Sequence, residues 1–289
     1  MQTVHTLDVL RTQLARLRGE NGRGGTRIGL VPTMGALHEG HLTLVRRAHE
    51  ECDAVVASVF VNPTQFGPGE DLEAYPRQLE EDAAMLEAEG CALLWAPAPD
   101  EMYADSFATN ISVSGISEGL CGKARPGHFD GVATVVSKLF NQVQPDMAFF
   151  GEKDFQQLAV IRAMARDLDL TAPHVHSIIG VPTVREVDGL AMSSRNRYLS
   201  AEDRTAAATL PRAMKQAIST IEAGGAIAPA MAAFEQELLR EGFTCIDYAV
   251  VADASSLTPL ERLTGKAARL LVAARIGDTR LIDNMAVSS

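Results

Sequence analysis

Only four cysteines occur, Cys52, Cys91, Cys121 and Cys245, far apart and without a C-x-x-C pair. That spacing argues against a structural zinc site or a disulfide framework and fits a reducing, cytoplasmic setting. Positive charge is also scarce: 26 Lys and Arg stand against 37 Asp and Glu, a net charge of −11. Such a chain does not coat nucleic acid or anionic membrane through its overall field, so any anionic ligand must be held by a local cluster. No apolar run reaches membrane-spanning length. Residues 1–10 carry Asp8 and lack the apolar core of a secretory signal. There is no internal repeat. What remains is ordinary globular material, 289 residues at 46% hydrophobic and 22% charged, enough for one large or two modest domains.

Apolar strands alternate with helices through the first part of the chain. Strands are expected at 28–31, 54–61, 91–96, 109–113, 147–150 and 175–179. Helices are expected at 42–49, 76–89, 132–143 and 155–168. This alternation predicts an α/β fold: a Rossmann-like parallel sheet with helices on both faces, over residues 1–182. Ligands of such sheets lie outside the carboxyl ends of the strands. Near residue 183 the pattern changes. A hairpin is expected around Asp188-Gly189, then a helix start at Ser200. Alanine-rich helices at 204–222 and 229–240 follow, then strands at 245–251, 268–275 and 281–283. Residues 183–289 thus read as a smaller α+β domain. Residues 19–25, GENGRGG, read as a polar loop.

The segment Pro32-Thr33-Met34-Gly35-Ala36-Leu37-His38-Glu39-Gly40-His41 joins the strand at 28–31 to the next helix. A strand, a glycine-bearing turn and a helix start outline a phosphate site, because a helix N-terminus offers unpaired N–H groups and partial positive charge. Gly35 and Gly40 would allow close backbone approach. His38 and His41, three residues apart, would face one side and could donate hydrogen bonds where charge develops on a phosphate. The alternative is an ordinary turn with two surface histidines. The spacing His-x-Gly-His resembles the signature of a nucleotidyltransferase superfamily that includes the class I aminoacyl-tRNA synthetases.

Three further loops carry suitable chemistry. Asn62 and Gln65, in NPTQF, are neutral amides that both donate and accept, suited to a small hydroxy acid; the bland reading is an Asx-type turn. In Gly151-Glu152-Lys153-Asp154, Lys153 is a point charge for phosphate, and Asp154 is either a Mg²⁺ partner or a helix cap. Gln157 lies one turn further on. Met192-Ser193-Ser194-Arg195 offers hydroxyls and a guanidinium for a phosphate clamp, or is a plain surface loop. A fourth segment, residues 121–131, concentrates Lys123, Arg125 and His128. It reads as a lid or an interface loop, with no catalytic role assigned.

Taken in order, PTMGALHEGH, NPTQF, RPGHFDGVATVVSKLFN at 125–141, FGEKDFQQ at 150–157 and MSSRNRYLS at 192–200 resemble the pantothenate synthetase (pantoate–β-alanine ligase) family. The resemblance covers residues 28 to about 200 with no departure at a motif position; Glu39, between the histidines, is tolerated by the family pattern. It implies ATP-dependent condensation of (R)-pantoate with β-alanine through a pantoyl adenylate, giving pantothenate, AMP and pyrophosphate. It implies catalytic roles for His41, His38, Lys153 and Arg195. ATP would be bound by Met34, Gly35, Ala36, Leu37, His38, Glu39, Gly40, His41, Gly151, Glu152, Lys153, Asp154, Val184, Met192, Ser193, Ser194 and Arg195. Pantoate would be bound by Gln65, Gln157 and Asn62, and β-alanine beside Gln65. Mg²⁺ would accompany ATP with Asp154 as its protein partner. The smaller domain would act as a lid over ATP, and the enzyme would be a cytoplasmic homodimer with no nucleic-acid or membrane partner. The first motif alone leaves open another adenylyl- or cytidylyltransferase. A silent nucleotide-binding regulator is the reading from a different class.

Overall fold

The computed structural model describes residues 1–19 and 25–288. The polar loop expected at 19–25 therefore falls almost wholly outside the described residues. The chain divides into two compact units. The first is Met1–Ser114, Arg125–Glu152 and Gln157–Pro182; the second is Gly115–Ala124, Lys153–Gln156 and Thr183–Ser289.

The first unit is built on a six-stranded parallel sheet in the order β1-β4-β3-β2-β5-β6. In chain order its elements are β1 Gln2–Val4, α1 Leu7–Arg18, β2 Ile28–Thr33, α2 Glu39–Glu51, β3 Ala54–Val59, α3 Leu79–Ala88, β4 Leu93–Trp95 and α4 Pro99–Met102. After α5 Cys121–Ala124, which groups with the second unit, come α6 His128–Val143, β5 Met147–Gly151, α7 Phe155–Asp167 and β6 Ile178–Val181. The central strands are apolar apart from Thr33 at the end of β2 and Ser58 near the end of β3, because both faces are covered. On one face, α2 and α3 bury Leu44, Val45 and Leu86 against Val31, Val55, Leu94 and Phe149. On the other face lies α6: its Phe140 ring meets Phe150 edge-on at 6.3 Å, and its Gln142 accepts from Trp95 Nε1 at 3.0 Å. The chain runs from β2 to β3 and β4 on one side and returns to β5 on the other. The sheet therefore has its topological switch between β2 and β5, where open α/β sheets hold ligands.

The second unit packs α8 Ala201–Ala207, α9 Thr209–Glu222 and α10 Ile227–Arg240 with an antiparallel sheet in the order β7-β8-β9. The strands are β7 Phe243–Asp253, β8 Ala268–Ile276 and β9 Thr279–Val287.

Several local expectations change. Residues 109–113 form no strand: the Ile111 N–H donates to Thr134 Oγ1 at 2.9 Å, on α6, instead of entering a ladder. Residues Val175–Ser177 make a 3-10 turn capped by His174, so the strand starts only at Ile178. The hairpin around Gly189 is reduced to one bridge, Arg185 to Ala191. The helix expected at 204–222 is interrupted at Ala208, because Pro211 lacks the N–H that would continue it and is tolerated only in the first turn of α9. β1 and α1 went unpredicted. The division of the chain is not a single cut at 182, since Gly115–Ala124 and Lys153–Gln156 belong with the C-terminal residues. Gln156 fastens these two short pieces together: its Oε1 accepts from Cys121 N at 3.0 Å, and its Nε2 donates to the carbonyls of Ile116 and Gly119 at 3.0 and 2.8 Å.

Candidate active site

The segment after β2 turns sharply before α2. Gly35 has φ +82° and Ala36 φ +52°, consecutive residues in left-handed backbone. Glycine adopts this freely, whereas for an L-residue such as Ala36 it costs roughly 1–2 kcal/mol. Strain of this kind persists only where neighbours hold it. The holder is Asp82 on α3, 0% exposed, whose carboxylate accepts from Ala36 N at 2.9 Å and Leu37 N at 2.8 Å. Gly35 N donates to Thr33 Oγ1 at 3.2 Å.

His38 is the N-cap of α2. Its Nδ1 accepts from Gly40 N at 3.1 Å, and His41 Nδ1 accepts from His38 N at 3.3 Å, a reciprocal capping box made by two imidazoles. Their ring centroids lie 4.1 Å apart. Most of the N–H groups in the turn and cap are engaged within the fold. The amides of Gly35, Ala36, Leu37, His38 and Gly40 all have partners inside the fold. Because both Nδ1 atoms accept backbone N–H groups, the ring proton of each neutral imidazole sits on Nε2.

The turn after β3 is a 3-10 turn, Pro63–Gln65, capped by Asn62. Asn62 was expected to contact the acid, but it is 1% exposed and its amide is fully engaged. Nδ2 donates to Gln65 Oε1 and to the Gly131 carbonyl, both at 3.1 Å. Oδ1 accepts from Tyr103 OH at 2.8 Å and Thr64 Oγ1 at 2.9 Å. Asn62 thus orients the Gln65 amide, whose Nε2 is turned to Met34 Sδ at 2.8 Å.

Arg125 and His128, left without a role by the sequence, belong to the support of this turn. Arg125 grips Glu70 with two bonds of 2.6 and 2.7 Å. His128 Nδ1 meets the Gln65 carbonyl at 2.8 Å, and Arg125 Nη1 meets His128 Nε2 at 3.0 Å. A carbonyl only accepts, so Nδ1 carries the proton and Nε2 accepts from the guanidinium. Burial opposes ionisation of Glu70, yet the Arg125 hydrogen bonds and charge bring its pKa down to about 2.

Of the remaining candidates, Gly151, Glu152 and Gln157 lie in the first unit and Lys153, Asp154, Val184 and Met192 to Arg195 in the second. Lys153 Nζ is 3.9 Å from Asp154 Oδ2, a half-exposed carboxylate, and the Lys153 carbonyl accepts from Asn284 Nδ2 at 2.9 Å. Ser193 caps a 3-10 turn, Ser194–Tyr198, its hydroxyl accepting from Arg195 N at 3.3 Å. Met192 N donates to the Val184 carbonyl at 3.0 Å. Arg185 braces the segment through two bonds to Asp283, at 2.7 and 2.9 Å. Gln157 opens the part of α7 that belongs to the first unit and is partly buried. Among the described residues no three His, Cys, Asp or Glu side chains gather as a metal cage, and no helix is long and apolar enough to cross a membrane. Asp82 was invisible in sequence because Glu80-Glu81-Asp82 looks like acidic decoration of a helix start.

Comparison with known proteins gives the family of the chain. The family described as Pantoate-beta-alanine ligase matches residues 2–286. A pantothenate synthetase of Novosphingobium aromaticivorans is 63% identical over 287 residues, covering 99% of both chains. One from Rhizorhabdus wittichii is 58% identical over the same length, with 99% of each chain covered. A crystal structure of pantothenate synthetase from Thermus thermophilus superposes with a TM-score of 0.91 at 49% identity, covering 100% of both chains. A pantoate-beta-alanine ligase from Francisella tularensis, solved with beta-gamma ATP and beta-alanine, gives a TM-score of 0.82 at 32% identity, covering 99% of this chain and 97% of that one. With its parallel sheet, its paired histidines and a match running nearly end to end, this chain belongs to the pantoate–β-alanine ligase family.

Proposed function

We propose that the chain joins pantoate to β-alanine in two steps, with His38, His41 and Gln65 at the reacting end. The pantoate carboxylate oxygen attacks the α-phosphorus of ATP, and pyrophosphate leaves. The β-alanine amine then attacks the acyl carbon of the adenylate, loses a proton, and AMP departs. No covalent enzyme intermediate is needed, so catalysis rests on positioning and on donors aimed at developing charge. The observation that carries this reading is the double cap: two imidazoles side by side, each with its ring proton directed to Nε2, suit phosphate oxygens without needing to be cationic.

Gln65 is the pantoate contact in this reading. Its Oε1 is engaged by Asn62, and its Nε2 rests against a thioether, a weak acceptor readily exchanged for a pantoate oxygen. Asn62 acts by orienting Gln65, and Gln157 is assigned to the other end of pantoate. Lys153, Arg195, Ser193 and Ser194, with the Val184 and Met192 backbone, are assigned to the ATP phosphates and nucleotide. Mg²⁺ would offset phosphate charge. Asp154 fits as one hard oxygen donor, since that ion takes few protein ligands when phosphates supply the rest. A homodimer and a cytoplasmic location complete the proposal as family expectations.

The test mixes ATP, pantoate and β-alanine and follows AMP and pantothenate. AMP release that depends on pantoate, and pantothenate only when all three are present, is the expected result. AMP formed equally well without pantoate overturns the assignment.

A further inference from the structure

We infer that Asp82 is a positioning residue for adenylation, setting the nucleotide loop that carries His38 and His41; the inference rests on the reading of those histidines given above. Four observations converge on this carboxylate. It is fully buried, although it lies in a run of three acids. Its two oxygens divide the work, Oδ2 taking Ala36 N and Oδ1 taking Leu37 N. The residues it holds are the second of the two left-handed ones and its successor, immediately before the His38 cap. A Cβ on Gly35 would lie 2.9 Å from Asp82 Oδ2, so the loop is drawn up to the carboxylate as tightly as a glycine permits.

On its other side the start of the loop borders open space. A cavity of about 360 Å³ lies beside it, lined by Met34, Gly35, Val59, Gln78 and Asp82 among others. Packing buries Ala36 and Leu37, but it does not fix where their N–H groups point; the paired amide bonds to Asp82 do. Without them the left-handed Ala36 relaxes towards ordinary backbone, and His38 and His41 move with it. The consequence is confined to the phosphate end of the site: Asp82 reaches the reaction only through the loop.

Asp82→Asn is the informative substitution. The side chain keeps its size, but one oxygen becomes an NH₂ that faces an N–H donor, so one amide of the pair loses its acceptor. The folded D82N enzyme is expected to adenylate pantoate at least about tenfold more slowly in kcat, as misplacement of reacting groups does. Amide hydrogen exchange should speed up at Ala36 and Leu37. Leu86→Ala, a fully buried apolar change on the same helix, serves as the control for lost stability alone and should lower the melting temperature while leaving kcat close to that of the parent. His41→Ala is measured alongside. If H41A is slow while D82N adenylates at the parent rate, or if D82N is slow with Ala36 and Leu37 still protected, the role of Asp82 is overturned. If H41A itself runs at the parent rate, it is the assignment of the histidines that fails. If L86A slows kcat as much as D82N, the effect is general destabilisation and the inference falls.

Discussion

Gly131 on α6 faces Thr64 in the 3-10 turn after β3 so closely that a side chain has no place between them. A Cβ built on Gly131 would lie 2.6 Å from the Thr64 carbonyl carbon and 2.7 Å from Gln65 N. Real carbons do not approach backbone so closely, so a helix and a turn distant in sequence are seated on each other by one missing methyl group. The Gly131 carbonyl also accepts from Asn62, locking the same contact from the other side.

Gly131→Ala should therefore push α6 away from residues 62–66. Overpacking of this kind costs about 1–3 kcal/mol. Thermal melts should show that loss, and calorimetric titration should show pantoate binding weakened more than ATP binding. Pantoate affinity equal to the parent's would mean the turn does not contribute to the pantoate pocket.

Asn62→Asp keeps the acceptor for Tyr103 and Thr64 but removes both Nδ2 bonds and sets a carboxylate against Gln65 Oε1. The Gln65 amide should turn over and present oxygen where it now presents N–H. Steady-state kinetics should show a KM for pantoate raised about tenfold or more, in keeping with the ~1–3 kcal/mol cost of an unsatisfied polar group. The KM for ATP should move little.

His41→Ala should slow pantoyl-adenylate formation by about 10²–10³-fold, the usual cost of losing one donor to developing charge. It also removes half of the capping box, worth roughly 0.5–2 kcal/mol, so a modest fall in melting temperature should accompany it. Single-turnover measurement of pyrophosphate release separates the two effects. An adenylation rate near the parent's would remove His41 from the phosphate end.

Glu70 predicts a pH dependence. Its pKa falls from an ordinary 4.5 to about 2 in the fold, where Arg125 outweighs the opposing effect of burial. A carboxyl lowered on folding contributes stability that is full above its unfolded value and is lost as pH falls through its folded value. The stability difference between the parent and Glu70→Gln should be constant above about pH 5.5 and shrink between about pH 4.5 and 2. Urea melts across that range check it. A difference that persists undiminished to pH 2 would mean the Arg125 pair is not the source.

Much of this protein could be read directly from its residues. Apolar runs bounded by glycine and proline located β2, β3, β4 and β5, because strands covered on both faces must be apolar throughout. The order of the motif segments identified the family, and the His38 and His41 spacing placed the two rings together. Other features were decided only by the tertiary structure. Which member of Glu80-Glu81-Asp82 turns inward depends on the loop that α3 packs against, and nothing local distinguishes the three. The inward amide of Asn62 depends on Tyr103 and Gly131, which lie 41 and 69 residues away. The grouping of Lys153 with the C-terminal residues depends on Asn284. Residue type and periodicity are one-dimensional and specify elements. The partner of a buried polar group is set by whichever distant backbone arrives beside it, and that is known only when the chain has folded.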